Sequence, residues 1–484
     1  MAQTYFAETI IDGKNYELNH YRTKRLRDKF FLTTDHGSWA VLEKSEYELL
    51  IRHELDDTTF KLLEEKGIIL TKNNVELIIS DYRKRYHFLD QGASLHILLP
   101  TIRCNQKCLY CHSAVVSASK KEYDMDCETA EHVLHFIFQA PSPVLMIEFQ
   151  GGDTLLNTAT FEYVVKRAKQ LNELHKKTLQ FSIVTNLTLM TDELCKWICD
   201  ESIDLCTSLD GPAEVHDKNR IMEGGGPSHA TVTHWLKRCN ELHNKPVGAL
   251  MVTTRYSLPY WKEIVDEYVK YGLRTIQLKY INKLGYAQNT WKLIGYEFAE
   301  FEEYWKKSVD YMIELNKKGV KIKERYVTLI LQKILHKHDP SFTDFRSPCG
   351  IVIGQIAYNY NGDIYSCDEG RNYDIFKMGN ARTATYHEVI RSQQAKQLVA
   401  NSLNDNLLCD NCAYKPYCGT CQVATYAEEG NIIPKLPTNA HHLYFEMMFD
   451  YVFDKLIFNP SARDVFFDWV TDWKRERLDM GPTS

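Results

Sequence analysis

Between residues 94 and 285 the chain alternates short apolar runs with longer stretches in which apolar residues recur every three or four positions. The runs are SLHILLPT, VLMIEFQ, LQFSIVTN, IDLCTSLDG, VGALMVTT and TIQLKYI; the longer stretches include CETAEHVLHFIFQA and TATFEYVVKRAKQLNELHKK. The first pattern predicts buried strands and the second amphipathic helices. Strands separated by helices imply βαβ units on a parallel sheet. Six such units predict an α/β fold, a partial (β/α)6 TIM-like barrel that stays open where an eight-unit barrel closes. Ligands of these sheets collect at the carboxyl ends of the strands, where loops and helix N-termini converge.

Ahead of the barrel, FFLTTDHGSWAVLEKSEYELLIRHELDDTTFKLLEEKGIIL reads as a short hairpin followed by two helices and a strand. A length of 484 residues suggests about three domains. The patterns divide them as a small α+β module over 1–92, the barrel over 93–330 and a cysteine-rich C-terminal domain over 331–484.

Composition narrows the class. With 44% hydrophobic and 25% charged residues the chain reads as globular, and a formal charge of -6 provides no electrostatic footprint for nucleic acid. The first twenty residues lack the apolar core of a signal peptide, and no run approaches the eighteen or so apolar residues of a membrane span. A cytoplasmic protein is expected, with no membrane partner, in a compartment where thiols stay reduced. Fourteen cysteines there point to metal before disulfides. Cys127, Cys195, Cys199, Cys206 and Cys239 are scattered in helical or apolar runs and read as small core residues.

The other nine cluster. TIRCNQKCLYCHS, just after the first strand, places Cys104, Cys108 and Cys111 in a C-x3-C-x2-C motif, one thiolate short of the four that close a zinc or iron–sulfur site. CGIVIGQIAYNYNGDIYSC runs from Cys349 to Cys367, and CDNCAYKPYCGTC contributes Cys409, Cys412, Cys418 and Cys421. From ligand type alone, the C-terminal cysteines are also compatible with two zinc knuckles.

C-x3-C-x2-C after the first strand of a six-unit barrel resembles the signature of radical S-adenosylmethionine enzymes. The resemblance implies a [4Fe–4S] cluster on Cys104, Cys108 and Cys111. Its fourth iron is held by the amino and carboxylate groups of S-adenosylmethionine, whose reductive cleavage yields a 5′-deoxyadenosyl radical. Further motifs follow in the family's order. Tyr110 matches the aromatic beside the adenine. FQGGDTLL aligns Gly151, Gly152 and Asp153 with a Gly-Gly-Glu motif near the methionyl ammonium, with Asp153 one methylene shorter than the usual glutamate. VTNLT places Asn186 at the rim, and SLDGPAEVHDKNR supplies Ser208 and Arg220 for the methionyl carboxylate, a task suited to a guanidinium.

The C-terminal cysteines resemble the SPASM domain, which carries up to two auxiliary [4Fe–4S] clusters. That pattern assigns Cys349, Cys367 and Cys421 to the first and Cys409, Cys412 and Cys418 to the second. SPASM domains normally supply one more downstream cysteine, and none follows Cys421. Imidazole can replace thiolate on iron, so His442 is the candidate fourth ligand and His441 the next; both also read as ordinary surface histidines. Asp368, directly after Cys367 in YSCDEGR, matches an essential aspartate of sulfatase-maturing relatives and is the candidate general base, or else a partner of Arg371.

The N-terminal module resembles the winged-helix-like domains that grip a leader peptide by strand addition, or it serves as a packing cap. GASLHILLPTIRCNQKCLYCHS, IEFQGGDTLLN, TSLDGP and YSCDEGR are most similar to maturases of His-Xaa-Ser peptide systems. The resemblance implies a ribosomal precursor peptide or protein as substrate and a reductant such as flavodoxin or ferredoxin. The reaction class is hydrogen abstraction from an unactivated C–H bond, ending in a crosslink, an epimerised residue or an oxidised side chain. A sulfatase-maturase-like or small-molecule dehydrogenase role, and a non-catalytic iron–sulfur or zinc-binding protein, are the alternatives.

Overall fold

The computed structural model describes residues 16–242, 246–336, 339–340 and 345–479. The first fifteen residues, part of the stretch read for a signal peptide, lie outside them.

Six parallel strands form the barrel: β4 (Leu95–Thr101), β5 (Val144–Gly151), β6 (Thr178–Val184), β7 (Asp204–Ser208), β8 (Gly248–Val252) and β9 (Leu278–Lys279). They lie side by side in sequence order, as right-handed βαβ connections dictate. Strict alternation governs the middle strands. Leu145, Ile147 and Phe149 of β5 and Phe181 and Ile183 of β6 are buried against the surrounding helices. Phe149 meets Phe161 of helix Thr158–His175 edge-on at 4.5 Å, and Phe161 meets Trp197 of helix Asp192–Asp200 at 5.1 Å. The opposite face, with Glu148, Gln150, Ser182, Cys206 and Ser208, is only half-buried. This face, which also carries Met146, Val184 and Leu250, lines the inside of the partial barrel.

Three strands before the barrel, β1 (Tyr21–Leu26), β2 (Lys29–Thr34) and β3 (Trp39–Leu42), form an antiparallel sheet, one strand more than the expected hairpin. Helices Lys44–Arg52 and Asp57–Glu65 follow, then strand Ile69–Leu70, which pairs with the earlier Glu17–Leu18, and helix Val75–Arg85. The sheet is apolar on both faces. Leu32 enters the module's own core with Leu42, Leu50 and Leu63, while its neighbour Phe31 turns outward onto Tyr414 and Phe453. Period-two alternation thus serves two cores at once.

The C-terminal part is not a separate body. Its strand β10 (Gln355–Tyr358) pairs in parallel with β4, and β11 (Asp363–Tyr365) and β12 (Lys377–Asn380) extend the same sheet antiparallel, making nine strands in all. The expected boundary at 330/331 cuts helix Arg325–Leu335, whose side chains are buried nearly all round. Helix Ala440–Phe458 is likewise apolar on most sides, as befits a helix wedged among others; Tyr444 stacks on barrel residue Tyr280 at 4.5 Å. Of the five scattered cysteines, Cys195 and Cys239 are buried as expected. Cys127 is exposed at a helix start, and Cys199 and Cys206 are half-buried. Among the described residues no helix is long and apolar enough to cross a membrane.

Candidate active site

The loop after β4 holds Cys104, Cys108 and Cys111 against elements contributed by four later segments. Strand Gln106–Cys108 pairs antiparallel with Arg220–Met222, which sets Arg220 directly opposite Cys108. The Leu109 N–H donates to Asn219 O at 2.9 Å, so the end of helix Ala213–Asn219, which follows SLDGP, meets the cysteine loop. Thr290 clamps the other side by donating to Leu109 O at 2.5 Å. Buried Arg103 forks onto both oxygens of Asp124 at 2.8 and 2.7 Å.

Gly151 and Gly152 have a packing reason. A Cβ on Gly152 would fall 2.0 Å from Arg103 O, and one on Gly151, at φ +130°, would fall 2.1 Å from Thr101 O. The Gly152 and Asp153 N–H groups donate to Thr101 O and Arg103 O at 3.1 and 2.8 Å. The glycines therefore let the end of β5 touch the backbone of the cysteine loop, which the expectation of an approach to a ligand ammonium had not foreseen.

Asp153 is held by protein donors on every side. It is 1% exposed and accepts from Asn186 N at 2.9 Å, Leu155 N at 3.0 Å and the Thr185 hydroxyl at 3.0 Å. Burial pushes its carboxyl up, with those three donors opposing. Both oxygens are committed to joining the ends of β5 and β6, because the shortened side chain stops at the backbone. Asn186 belongs to the same net, donating to Asn105 Oδ1 at 2.9 Å.

Tyr110 is buried too. Its hydroxyl donates to Asp210 at 2.7 Å, and the Arg220 guanidinium sits over its ring at 5.1 Å. Arg220 pairs with Asp210 at 3.2 Å and points Nη1 at Cys108 Sγ at 3.9 Å. An aromatic platform for adenine and a carboxylate-gripping guanidinium were expected here; instead Tyr110, Asp210 and Arg220 engage one another, so a ligand carboxylate must compete with Asp210. Ser208 ends β7 half-buried on the lumen face.

The thiols suit a cluster. Burial raises Cys104, Cys108 (to about 12) and Cys111, and Cys104 feels the other two; for Cys108 the Arg220 charge opposes burial. Such thiols keep their protons until a metal displaces them. Burial raises Cys367, with Glu369, Cys421 and Cys349 adding to it, and burial raises Cys418, with Cys412 and Cys409 adding to it. Among the described residues no three such donors converge on a single ion.

Asp368 links the C-terminal domain to the cysteine loop of the barrel. Its Oδ1 accepts from Arg371 Nε at 2.8 Å and its Oδ2 lies 3.2 Å from Nε2 of His112, the residue after Cys111. Arg371 also donates to Ser113 at 2.7 Å. Burial would raise the Asp368 carboxyl, but Arg371 and then His112 outweigh it and hold it well below the usual carboxylate range. Asp368 is thus paired with Arg371, the second of the two roles expected for it. His112 and Glu148 were missed by the sequence reading; the signal available for His112 was its place beside Cys111. Glu148 accepts from Gln150 at 2.6 Å and Ser182 at 2.9 Å, and burial pushes it up. Cys206, on the same lumen face, is pushed to about 12 by burial and by Glu148.

His441 and His442 separate. His441 is buried, with Nδ1 2.8 Å from the Tyr280 hydroxyl; His442 lies 3.5 Å from Glu446.

Comparisons with known proteins agree with this architecture. Residues 98–267 match the Radical SAM superfamily and residues 349–422 match the SPASM iron–sulfur cluster-binding domain. The chain is thus a radical SAM enzyme with a C-terminal SPASM domain. That class implies S-adenosylmethionine with a [4Fe–4S] cluster in the barrel and auxiliary iron–sulfur clusters in the C-terminal domain. An uncharacterized protein of Methanocaldococcus jannaschii is 30% identical over 37% of this chain and 60% of its own length, so the chain spans less than two thirds of that relative. The cysteine-type anaerobic sulfatase-maturating enzyme of Clostridium perfringens is 24% identical over 73% of this chain and 94% of its own. Two solved structures share the fold. The enzyme anSMEcpe with bound AdoMet and the Kp18Cys peptide has a TM-score of 0.64 at 20% identity, covering 76% of this chain and 99% of its own. Streptococcus suis SuiB bound to precursor peptide SuiA has a TM-score of 0.52 at 14% identity, covering 87% and 99%.

Proposed function

We propose that this enzyme modifies a ribosomally made peptide or protein by removing hydrogen from an unactivated C–H bond. The observation that carries the reading is the junction of the Cys104–Cys111 loop, through His112 and Ser113, with Asp368 and Arg371 of the Cys367 segment, beside inward-facing polar residues of the barrel strands. Bound S-adenosylmethionine and its cluster supply the hydrogen-abstracting radical, and the auxiliary clusters supply electron transfer. The chain's own residues do the rest. Arg220 and Ser208 offer the donors nearest the thiol loop for a ligand carboxylate, and the Gly151–Gly152 contact fixes that loop against β5. Glu148, Gln150 and Ser182 present acceptors and donors to a peptide segment in the lumen. His112, oriented by Asp368, takes the proton that an oxidised or crosslinked product must lose.

The relatives support a macromolecular substrate, since one is a sulfatase-maturating enzyme and one structure holds a precursor peptide. A leader segment is received by strand addition to the β1–β3 sheet, and flavodoxin or ferredoxin supplies the reducing electron in the cytoplasm. The likeness to sulfatase-maturating enzymes favours one second reading, oxidation of a single side chain in a sulfatase; which class of partner gene stands beside this one separates the two.

The test is anaerobic reconstitution with iron and sulfide, followed by a 5′-deoxyadenosine assay. Replacing Cys104, Cys108 and Cys111 by alanine should abolish 5′-deoxyadenosine while the C-terminal iron stays bound. Undiminished cleavage in that triple variant sinks the reading.

A further inference from the structure

SLDGPAEVHDKNR runs from Ser208 to Arg220, and helix Ala213–Asn219 separates its Asp210 from its Arg220. His216, inside that helix and fully buried, is tied to both. Its Nδ1 accepts from the Asp210 N–H at 3.3 Å, and its Nε2 lies 3.1 Å from the Ser228 hydroxyl. The same hydroxyl donates to Arg220 O at 2.8 Å. A backbone N–H can only donate, so Nδ1 is the bare nitrogen and Nε2 carries the proton that Ser228 accepts. Burial, with Arg220 and His229 adding to it, lowers His216 well below its ordinary value and keeps the ring neutral. Asp210 N–H, His216 Nε2–H and Ser228 Oγ–H therefore form one directed chain that ends on the carbonyl of Arg220. Ser228 is itself fixed, because Asp217 Oδ1 accepts from the N–H groups of Ser228 and His229 at 2.8 Å each.

The side chain steadied in this way is a guanidinium with donors to spare. Arg220 is 8% exposed. Asp210 Oδ2 lies 3.2 Å from its Nε as an ion pair, yet among the described residues Nε makes no directed hydrogen bond. Nη1 points at Cys108 Sγ from 3.9 Å. A buried guanidinium with unfilled donors is suited to a carboxylate that arrives with a ligand, and its planar fork selects that carboxylate only when its direction is set. Pairing of Arg220–Met222 with Gln106–Cys108 sets one side of the Arg220 backbone, and the Ser228 bond holds its carbonyl.

We propose that His216, acting through Ser228, is a positioning residue that fixes the Asp210–Arg220 pair so that Arg220 can receive the methionyl carboxylate of S-adenosylmethionine. His216 acts on the backbone at the two charged residues, and Arg220 alone meets the ligand. The inference rests on the reading of Arg220 as the carboxylate-binding group.

The experiment uses the full-length chain, reconstituted anaerobically with iron and sulfide. Equilibrium dialysis gives dissociation constants for S-adenosylmethionine and for decarboxylated S-adenosylmethionine, which lacks the group that Arg220 receives. Ser228→Ala should weaken S-adenosylmethionine about tenfold, the effect of one hydrogen bond, and leave the decarboxylated ligand unchanged. His216→Phe, which removes both bonds at similar volume, should weaken the first ligand at least as much and again spare the second. Iron per chain and helical circular dichroism should match the parent; where His216→Phe fails to load iron, Ser228→Ala decides. Equal weakening of both ligands by Ser228→Ala, or of neither, overturns the proposal. Arg220→Ala should weaken S-adenosylmethionine strongly, and Ser228→Ala should add nothing in that background. A full further loss there overturns the proposal, because Ser228 then acts on another group. If Arg220→Ala weakens binding and Ser228→Ala does not, only the inference falls; if Arg220→Ala leaves the affinity unchanged, the carboxylate assignment falls with it.

Discussion

The two thiol regions are built in opposite ways. Cys104, Cys108 and Cys111 lie within one loop after one strand, and the residues that shape that loop come from the ends of neighbouring barrel strands: Gly152 after β5, Asn186 after β6 and Arg220 after β7. The C-terminal sets draw their cysteines from segments that begin at Cys349 and end at Cys421. The loop of the second set is shaped by residues as distant in sequence as Arg22 and Thr33. The barrel motif is shaped mainly by neighbouring strand ends and reached by Asp368 and Arg371, whereas the Cys409–Cys418 loop is also held by the N-terminal module. The barrel site should therefore tolerate damage to the N-terminal module that the second C-terminal site does not.

That contrast can be broken in several ways. The largest effect is expected where the two regions meet. Asp368→Asn removes the anion that holds His112 and Arg371, and product formation should fall by about two orders of magnitude or more. Hydrogen abstraction, read as deuterium moving from labelled substrate into 5′-deoxyadenosine, should persist. Normal product yield would show that the bridge is dispensable.

Phe31→Ala tests the dispersed side. Phe31 is fully buried with its ring 4.2 Å from that of Phe453. Its loss should cost about 3–5 kcal/mol in denaturant unfolding. The folded fraction should lose iron from the Cys409–Cys418 loop before it loses S-adenosylmethionine cleavage. Parallel loss of both would erase the distinction.

Gly152→Ala is the matching injury to the compact side. The added methyl cannot fit against Arg103 O, and the strain should reach the upper end of the roughly 1–3 kcal/mol typical of overpacking. Iron and 5′-deoxyadenosine should be lost from the barrel site, with C-terminal iron retained. Loss of C-terminal iron instead would reverse the assignment of the two regions.

Thr33→Val is the finest probe. It removes the donor to Ala413 O and leaves a buried carbonyl unpaired, for about 1–2 kcal/mol. A small drop in C-terminal iron occupancy at unchanged barrel activity is expected; no change in either the unfolding midpoint or the occupancy would mean that this bond does not shape the loop.

How much of this was legible follows the same line. The six barrel strands could be read because their outward residues, such as Leu145, Ile147 and Phe149, alternate against helices with apolar residues at three- and four-residue spacing. The last strand was harder: TIQLKYI is two short pieces, Thr275–Ile276 and Leu278–Lys279, which pair with different neighbours. At the site, the cysteines and the order of the motifs were visible, yet what several motif residues touch was not. The protein partners of Asp153, Tyr110 and Gly152 could not be read, because a shortened carboxylate, a hydroxyl and a missing Cβ acquire them only when separate strand ends meet.

The sequence by itself determined the periodicities, and with them the parallel barrel, and it determined the local cysteine spacings that mark the chain as a radical SAM enzyme with a SPASM domain. These are properties of residues close in the chain, where backbone geometry leaves few choices. Tertiary structure alone decided that β10 joins the barrel sheet, that Phe31 faces the C-terminal domain while Leu32 faces its own module, and that Asp368 meets His112. Those pairings join residues as much as several hundred positions apart, and they are selected by which buried surfaces and charges can be satisfied together once the chain has closed on itself.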